Sequence, residues 1–232
     1  MAIDDLQYQQ GLLFDDRVFC DAYGYSLARR TNGNFLRNQY AGVGRFELPL
    51  VRKQVIDLSC IQLIACTNTR ANEREFASYG VHFFVDDYKF NKLYEAPEKS
   101  YPIYSQYRFC LTPDYSVYGE MPIWRQIQSV AHGRWCGAWW QGKGMTVIPT
   151  ISWAQYSSYD FCFDGVERGS IVAISTYACR RERLAFLRGY DAMLEHINPE
   201  AIICYGEPFP YMRGNLLPVK VCHPRQFHRE HS

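Results

Sequence analysis

A series of short apolar runs recurs along the chain from residue 61 onward, and it limits the possible folds more than any other pattern in the sequence. Several of these runs are continuously apolar instead of alternating, which is typical of parallel strands buried on both faces. They therefore predict a buried, mostly parallel β-sheet. The runs are IQLIACT from Ile61, VHFFVDD from Val81, FCLTPD from Phe109, MTVIPTISW from Met145, SIVAIST from Ser170, AIICYG from Ala201 and the weaker PVKVCH from Pro218.

Two amphipathic segments between the runs predict helices. The first follows Pro122, which suits a first helical turn, and it ends at the glycines of residues 142 and 144. The second stops at Asn198-Pro199. Strands that alternate with helices in this way predict an α/β fold of repeated βα units. The residues at helical spacing are Ile123, Ile127, Val130, Arg134 and Ala138 in the first segment, and Leu184, Leu187, Tyr190, Leu194 and Ile197 in the second.

A parallel series of βα units either closes into a barrel or stays open as a wound sheet. The runs are too few for a full eight-unit barrel. We therefore predict a reduced or incomplete TIM-barrel-like fold, with an open doubly wound sheet as the alternative. In either architecture the functional site lies where the strands end at their carboxyl side.

Patterning along the chain predicts three parts. Residues 1–42 are polar and aromatic without a sustained period, and we interpret them as an irregular N-terminal arm or cap. Residues 43–223 form the single α/β domain, and residues 224–232 form a polar C-terminal tail.

Composition limits the class of protein and its partners. The nine cysteines include no CxxC pair, and the chain starts without a signal peptide, which indicates reduced thiols in a cytoplasmic protein. No apolar run approaches the roughly 20 residues that span a bilayer. A net charge of +1 disfavours a strongly basic nucleic-acid binder, although a local basic patch stays open.

Polar side chains follow the runs and are expected to share one rim of the sheet. Asp86, Asp87 and Asp114 are the predicted catalytic residues, because carboxylates from different strands can serve as general acid and base or bind Mg²⁺. The alternative is that an Asp just past a strand caps the next helix. The predicted substrate-binding residues are Tyr115, Gln141, Thr150, Ser152, Trp153, Thr176 and Tyr205.

Several well-known catalytic motifs do not occur in the sequence. It contains no GxGxxG after a strand, no GxxxxGK[ST] loop, no GxSxG elbow and no HExxH helix. These absences speak against a dinucleotide dehydrogenase, a P-loop NTPase, a standard α/β-hydrolase and a zincin.

Over about residues 45 to 217, six segments together resemble the uncharacterised family called domain of unknown function number 4417. The resemblance implies a protein of bacteria, phages or other mobile elements, and it carries no activity. The segments are VHFFVDDYKF, TPDYSVYGEMP, RWCGAWWQGKGMTVIPTISW, FCFDG, GSIVAIST and FLRGYDAMLEHINPEAIICYG. The residues at family motif positions are Asp86, Asp87, Asp114, Gln141, Trp153, Asp164 and Gly206.

Two functional hypotheses follow for the predicted rim. One is a carboxylate-dependent hydrolase or transferase, with or without Mg²⁺, that acts on a nucleotide-like or glycan-like small molecule. The other is a non-catalytic binding module that engages a host protein, a nucleotide or nucleic acid through the same cleft, since Tyr, Trp and Arg are favoured at binding hot spots.

Overall fold

The computed structural model describes residues 36–71, 76–177, 179 and 182–221. Contacts divide the chain into two units, Met1–Tyr40 and Ala41–Ser232, and all the strands and both long helices of the described residues lie in the second unit. The predicted N-terminal arm lies almost entirely outside the described residues, and the predicted tail lies wholly outside them.

The described residues form short strands joined by turns and by two long helices. The helices are α1 (Tyr101–Tyr104), α2 (Ile123–Gly142) and α3 (Arg183–Ile197). Both predicted helices are thus confirmed as α2 and α3. The strands are β1 (Gly42–Val43), β2 (Leu48–Pro49), β3 (Gln62–Ala65), β4 (Tyr79–His82), β5 (Phe109–Leu111), β6 (Val147–Ile148), β7 (Ile171–Ser175), β8 (Ala201–Tyr205) and β9 (Leu216–Val219). Single 3₁₀ turns cover Phe76–Ser78, Asp87–Lys89, Asn91–Leu93, Pro97–Lys99 and Tyr156–Ser158.

The strands pair in the order in which they occur along the chain. Strands β1 and β2 form an antiparallel pair. Strands β3, β4, β5 and β6 form one parallel sheet, and β7, β8 and β9 form another. A parallel bridge between Thr150 and Ala173 joins the chain after β6 to β7. The structure is therefore a mixed α/β fold with parallel sheets, as predicted.

Both faces of the central strands are buried, because successive side chains of a strand point to opposite sides. In β8, Ile203 and Tyr205 belong to an apolar cluster that also contains residues of β3, β5, β6, β7 and β9. Their neighbours Ile202 and Cys204 belong to a second cluster, which includes Tyr190 of α3. This two-sided burial explains why the runs are continuously apolar.

Helix α2 packs very close to the end of β5. A Cβ atom on Gly133 would lie 2.8 Å from the carbonyl oxygen of Pro113, and one on Gly137 would lie 2.5 Å from the methyl group of Thr112. The two glycines are four residues apart and so share one face of the helix. This contact fixes the point at which the chain leaves β5 and reaches Asp114.

Within the described part of the chain, no helix has both the length and the apolar composition needed to cross a membrane. The cysteines of this part are all free thiols: Cys60, Cys66, Cys110, Cys136, Cys162, Cys179 and Cys204.

Candidate functional site

Two of the predicted carboxylates lie past the carboxyl ends of neighbouring strands. Asp87 follows β4 and Asp114 follows β5, and these strands pair directly. The backbone N–H of Ser116 donates to Asp87 Oδ2 at 3.1 Å, and the Ser116 hydroxyl donates to Asp87 Oδ1 at 2.8 Å. The loop after β5 therefore holds the carboxylate of the loop after β4, and the two loops share one polar site.

The pKa of Asp114 suits this residue to proton transfer at neutral pH. Its side chain is half-buried. Burial raises the pKa of Asp114 to about 7, and the negative charge of Asp87 adds to the rise, while a hydrogen bond with Ser152 and the positive charge of Arg134 oppose it. A carboxyl group with this pKa is present in both protonation states at neutral pH, which suits a general acid or base.

The positive charge near Asp114 belongs to a buried arginine of α2. Arg134 is 3% exposed. Its guanidinium donates to the backbone oxygens of Asp164 at 3.0 Å, Thr150 at 2.9 Å and Cys162 at 2.9 Å. Burial lowers the pKa of Arg134 to about 10, so it remains a cation at neutral pH. The Arg134 guanidinium is thus a cation held in place within electrostatic reach of the Asp114 carboxyl group.

A small polar cavity lies beside this cation. Its volume is about 10 Å³, which is close to the room that one water molecule needs. Ser129 is 2% exposed, and its hydroxyl oxygen has no hydrogen-bond partner among the described residues. Ser152 connects the cavity to Asp114 because it lines the one and bonds to the other. The lining residues are Pro113, Tyr115, Ser129, Val130, Gly133, Arg134, Thr150 and Ser152.

The third predicted carboxylate, Asp86, has different surroundings. It is exposed and forms an ion pair with Lys89 at 3.1 Å. It precedes the 3₁₀ turn at Asp87–Lys89 without capping it through its side chain. The Asp86 side chain therefore joins the two ends of this surface turn through its ion pair with Lys89.

Two predicted binding residues join segments of the backbone. Gln141 accepts a hydrogen bond from the Arg52 N–H at 2.9 Å and donates one to the Arg52 carbonyl at 2.9 Å. It lies at the end of α2 near Val147, where β6 begins, and thus at the opposite edge of the sheet from Asp114. Thr150 is buried, and its hydroxyl donates to the Thr112 carbonyl at 2.8 Å.

The predicted aromatic residues pack against other rings. Trp153 lies on the helix side, where its ring centre is 4.8 Å from that of Phe186 in α3. Tyr205 lies on the other face of the sheet, with its ring centre 4.6 Å from that of His82 and 5.0 Å from that of Phe84. These two rings stabilise the packing on opposite faces of the strands.

The remaining predicted residues hold the ends of the strands. The Thr176 hydroxyl donates to the Glu207 carbonyl at 2.9 Å and so ties the chain after β7 to the chain after β8. Tyr115 is buried, and its ring packs edge-on against Phe90 with the centres 5.2 Å apart.

Sequence reasoning placed Ser116 at the rim after the third run, but it missed two residues of this site, namely Ser129 and Arg134. Arg134 did carry a signal, since a charged residue stands on the apolar face of a helix, but Ser129 has no distinguishing pattern. Cys179 also lies within electrostatic reach of Asp114. Burial raises the pKa of Cys179 to about 11, so it remains a protonated thiol at neutral pH.

The described ranges contain no group of three or more His, Cys, Asp or Glu side chains that could hold a metal ion.

Comparison with known proteins places the chain among phage proteins. The family model described as "Domain of unknown function (DUF4417)" matches residues 40–223. The "Gene 1 protein" of Mycobacterium phage L5 is 35% identical over 176 residues, which cover 74% of this chain and 76% of that protein. The "Gene 1 protein" of Mycobacterium phage D29 is 34% identical over 175 residues, which cover 74% of this chain and 64% of that protein. No solved structure matches the chain.

Proposed function

The chain belongs to the DUF4417 family, as its segments predicted, and for this member we propose a hydrolase or group transferase in which Asp114 transfers the proton. The observation that carries the proposal is the pair of carboxylates after β4 and β5, in which the pKa of Asp114 is raised to about 7. When two titratable groups lie in unlike surroundings, their pKa values move apart, and one group can then act as the acid while the other acts as the base.

The proposed reaction needs both carboxylates. Asp114 gives its proton to the leaving oxygen while the bond between that oxygen and the transferred group breaks, and the bonding electron pair stays on the oxygen. A water molecule or a hydroxyl group bonds to the transferred group and loses its proton to Asp87. That proton then returns to Asp114 through solvent, which restores the starting state.

We also infer that the strands form a reduced barrel. An open doubly wound sheet reverses its strand order at a switch point, whereas β3 to β9 follow one another without reversal. The contact between Tyr205 of β8 and His82 of β4 supports the same inference, since it joins strands of the two sheets. Barrel enzymes carry their catalytic groups at the carboxyl ends of the strands, where Asp87 and Asp114 lie.

A metabolite-depletion assay tests the proposed function. The full-length protein is incubated with a bacterial small-molecule extract, and mass spectrometry compares wild type with Asp114→Asn and Asp87→Asn. We expect wild type to consume at least one compound and both variants to consume it at least ~100-fold more slowly. Asp160→Asn changes an exposed carboxylate and should act like wild type. Equal consumption by Asp114→Asn and wild type would refute the proposal.

A further inference from the structure

Exposed aromatic rings follow the strands whose ends carry the carboxylate site. Among the described residues, five large exposed rings follow four successive strands, and we call them the rim rings. They are Tyr88 after β4, Tyr118 and Trp124 after β5, Tyr156 after β6 and Tyr177 after β7, with exposed fractions of 73%, 58%, 67%, 82% and 49%. Because parallel strands end at the same edge of a sheet, these rings lie at the edge that carries Asp87 and Asp114.

Direct contacts connect the rim rings to the carboxylates. The Ser116 hydroxyl, which bonds to Asp87, is also hydrogen-bonded to the Tyr118 hydroxyl at 3.1 Å. Tyr88 is the next residue after Asp87. A Cβ atom on Gly119 would lie 2.7 Å from the side chain of Gln155, so the loop after β5 touches the loop that carries Tyr156. Tyr88, Tyr118 and the loop of Tyr156 are therefore connected to the loops that carry the carboxylates.

The charge of this site selects against a phosphate backbone. The charge of Asp87 repels phosphate groups, whereas sites for single-stranded nucleic acid combine stacking rings with a positively charged groove. A protein partner would favour a continuous apolar patch. Here the Ser116 hydroxyl lies between the Tyr118 hydroxyl and the Asp87 carboxylate.

A second observation points to a polar ligand at the same place. The cavity beside Asp114 is lined by Ser129, whose buried hydroxyl oxygen has no partner among the described residues. A water molecule in this cavity can satisfy that oxygen and can bridge it to a polar ligand at the surface.

We propose that the rim rings and the two carboxylates bind a neutral oligosaccharide, which names the substrate class and rests on the proposed function. The C–H faces of the sugar rings lie on the Tyr and Trp rings, and the sugar hydroxyls bond to Asp87 and Ser116. Glycoside hydrolysis uses such a pair, with one carboxyl group protonated and one ionised. Asp114 protonates the glycosidic oxygen as the carbon–oxygen bond breaks and its electrons pass to that oxygen, while water adds to the carbon and gives its proton to Asp87.

Binding is measured on the full-length Asp114→Asn variant, so that the probe is not consumed. The probes are maltohexaose, cellohexaose, xylohexaose and chitohexaose, each followed by isothermal titration calorimetry. We expect at least one to bind, and we expect Trp124→Ala and Tyr118→Ala, added to this variant, to weaken its binding at least ~10-fold. Tyr211→Ala is the matched control, since Tyr211 is 87% exposed but lies on the return from β8 to β9, and it should leave binding unchanged.

Two outcomes would overturn the inference. One is no binding of any of the four oligosaccharides, including the case in which a poly-dT oligonucleotide binds instead. The other is binding that neither Trp124→Ala nor Tyr118→Ala weakens. Failure of the proposed function is distinguishable, because an oligosaccharide that binds Asp114→Asn but stays intact with wild type would refute the chemistry and leave the ligand class standing.

Discussion

Asp86 and Asp114 carry the same side chain in different surroundings. Asp86 is exposed and forms an ion pair with Lys89. Asp114 is half-buried beside Asp87, and both its burial and that charge favour the protonated form. A carboxyl group that is costly to ionise destabilises the fold at neutral pH, and the same property suits it to the proton transfer that we propose.

The raised pKa of Asp114 predicts a pH-dependent gain in stability for Asp114→Asn. The folded pKa is about 7 and the usual value is 3.8, so folding stability falls as pH rises between these values, because only the unfolded chain releases the proton freely. After allowance for solvent screening at a half-buried site, we expect Asp114→Asn to exceed wild type by on the order of 2 kcal/mol at pH 8.

Urea unfolding at pH 4 and pH 8 checks this prediction. The gain should vanish near pH 4, where Asp114 is protonated in the folded protein, and the exposed control Asp160→Asn should show none at either pH. A difference between Asp114→Asn and wild type that is the same at both pH values would contradict the assigned pKa.

Among the elements of the fold, helix α2 determines where the site lies. Its Gly133 and Gly137 allow the backbone to approach Pro113 and Thr112, directly before Asp114. The same helix brings Arg134 to the loop carbonyls of residues 150, 162 and 164. The position of Asp114 therefore depends on small residues that have no chemical role of their own.

Gly133→Ala tests this dependence. The new Cβ would meet the Pro113 carbonyl at 2.8 Å, and a backbone atom cannot move aside cheaply. We expect a loss of about 1–3 kcal/mol despite the better helix propensity of alanine, together with a shifted Asp114 resonance. Gly142→Ala, at the exposed end of the same helix, is the control and should change stability by less than about 1 kcal/mol. Equal stabilities of the two variants in urea would show that the contact is not tight.

The elements were more predictable than their contacts. The apolar runs predicted β3 to β9, and Pro122 and Asn198-Pro199 marked the ends of α2 and α3 correctly. Gln141 was predicted to bind substrate from a helix end, and because a helix that follows a parallel strand runs back along it, that end lies at the opposite edge of the sheet from Asp114. The partners of Arg134 are loop carbonyls distant in sequence, and helical periodicity shows only that such a residue faces inward.

In the molecule as a whole, the interior between the two sheets contains an ionisable group. His82 is 2% exposed, and its Nδ1 accepts the Phe84 N–H at 3.2 Å. Its ring packs against Tyr205 of the other sheet. Burial lowers the pKa of His82 to about 3, so the folded protein keeps this imidazole neutral.

His82→Gln should therefore make the fold more resistant to acid. As pH falls below the usual histidine pKa of 6.5, His82 takes up a proton in the unfolded chain but stays neutral in the folded protein. The free energy of unfolding therefore decreases. Glutamine keeps a hydrogen-bond acceptor and cannot be charged. Between pH 7 and pH 4 we expect His82→Gln to lose on the order of 2 kcal/mol less than wild type in urea unfolding.

His196→Gln is the matched surface control. His196 is half-exposed and lies 3.3 Å from Asp164, so its replacement removes a favourable surface contact and should not protect the fold from acid. If His82→Gln and His196→Gln respond to acid in the same way, His82 does not remain neutral in the folded core.

The role in proton transfer that we propose for Asp114 is tested by measuring the pKa of its carboxyl group. A ¹³C NMR titration of the carboxyl carbons in protein labelled at aspartate would be assigned by the signal missing from Asp114→Asn. We expect Asp114 to titrate at about 7. An Asp114 that titrates near the usual 3.8 would be fully ionised at neutral pH, and it would contradict the assignment of this residue as the proton-transferring group.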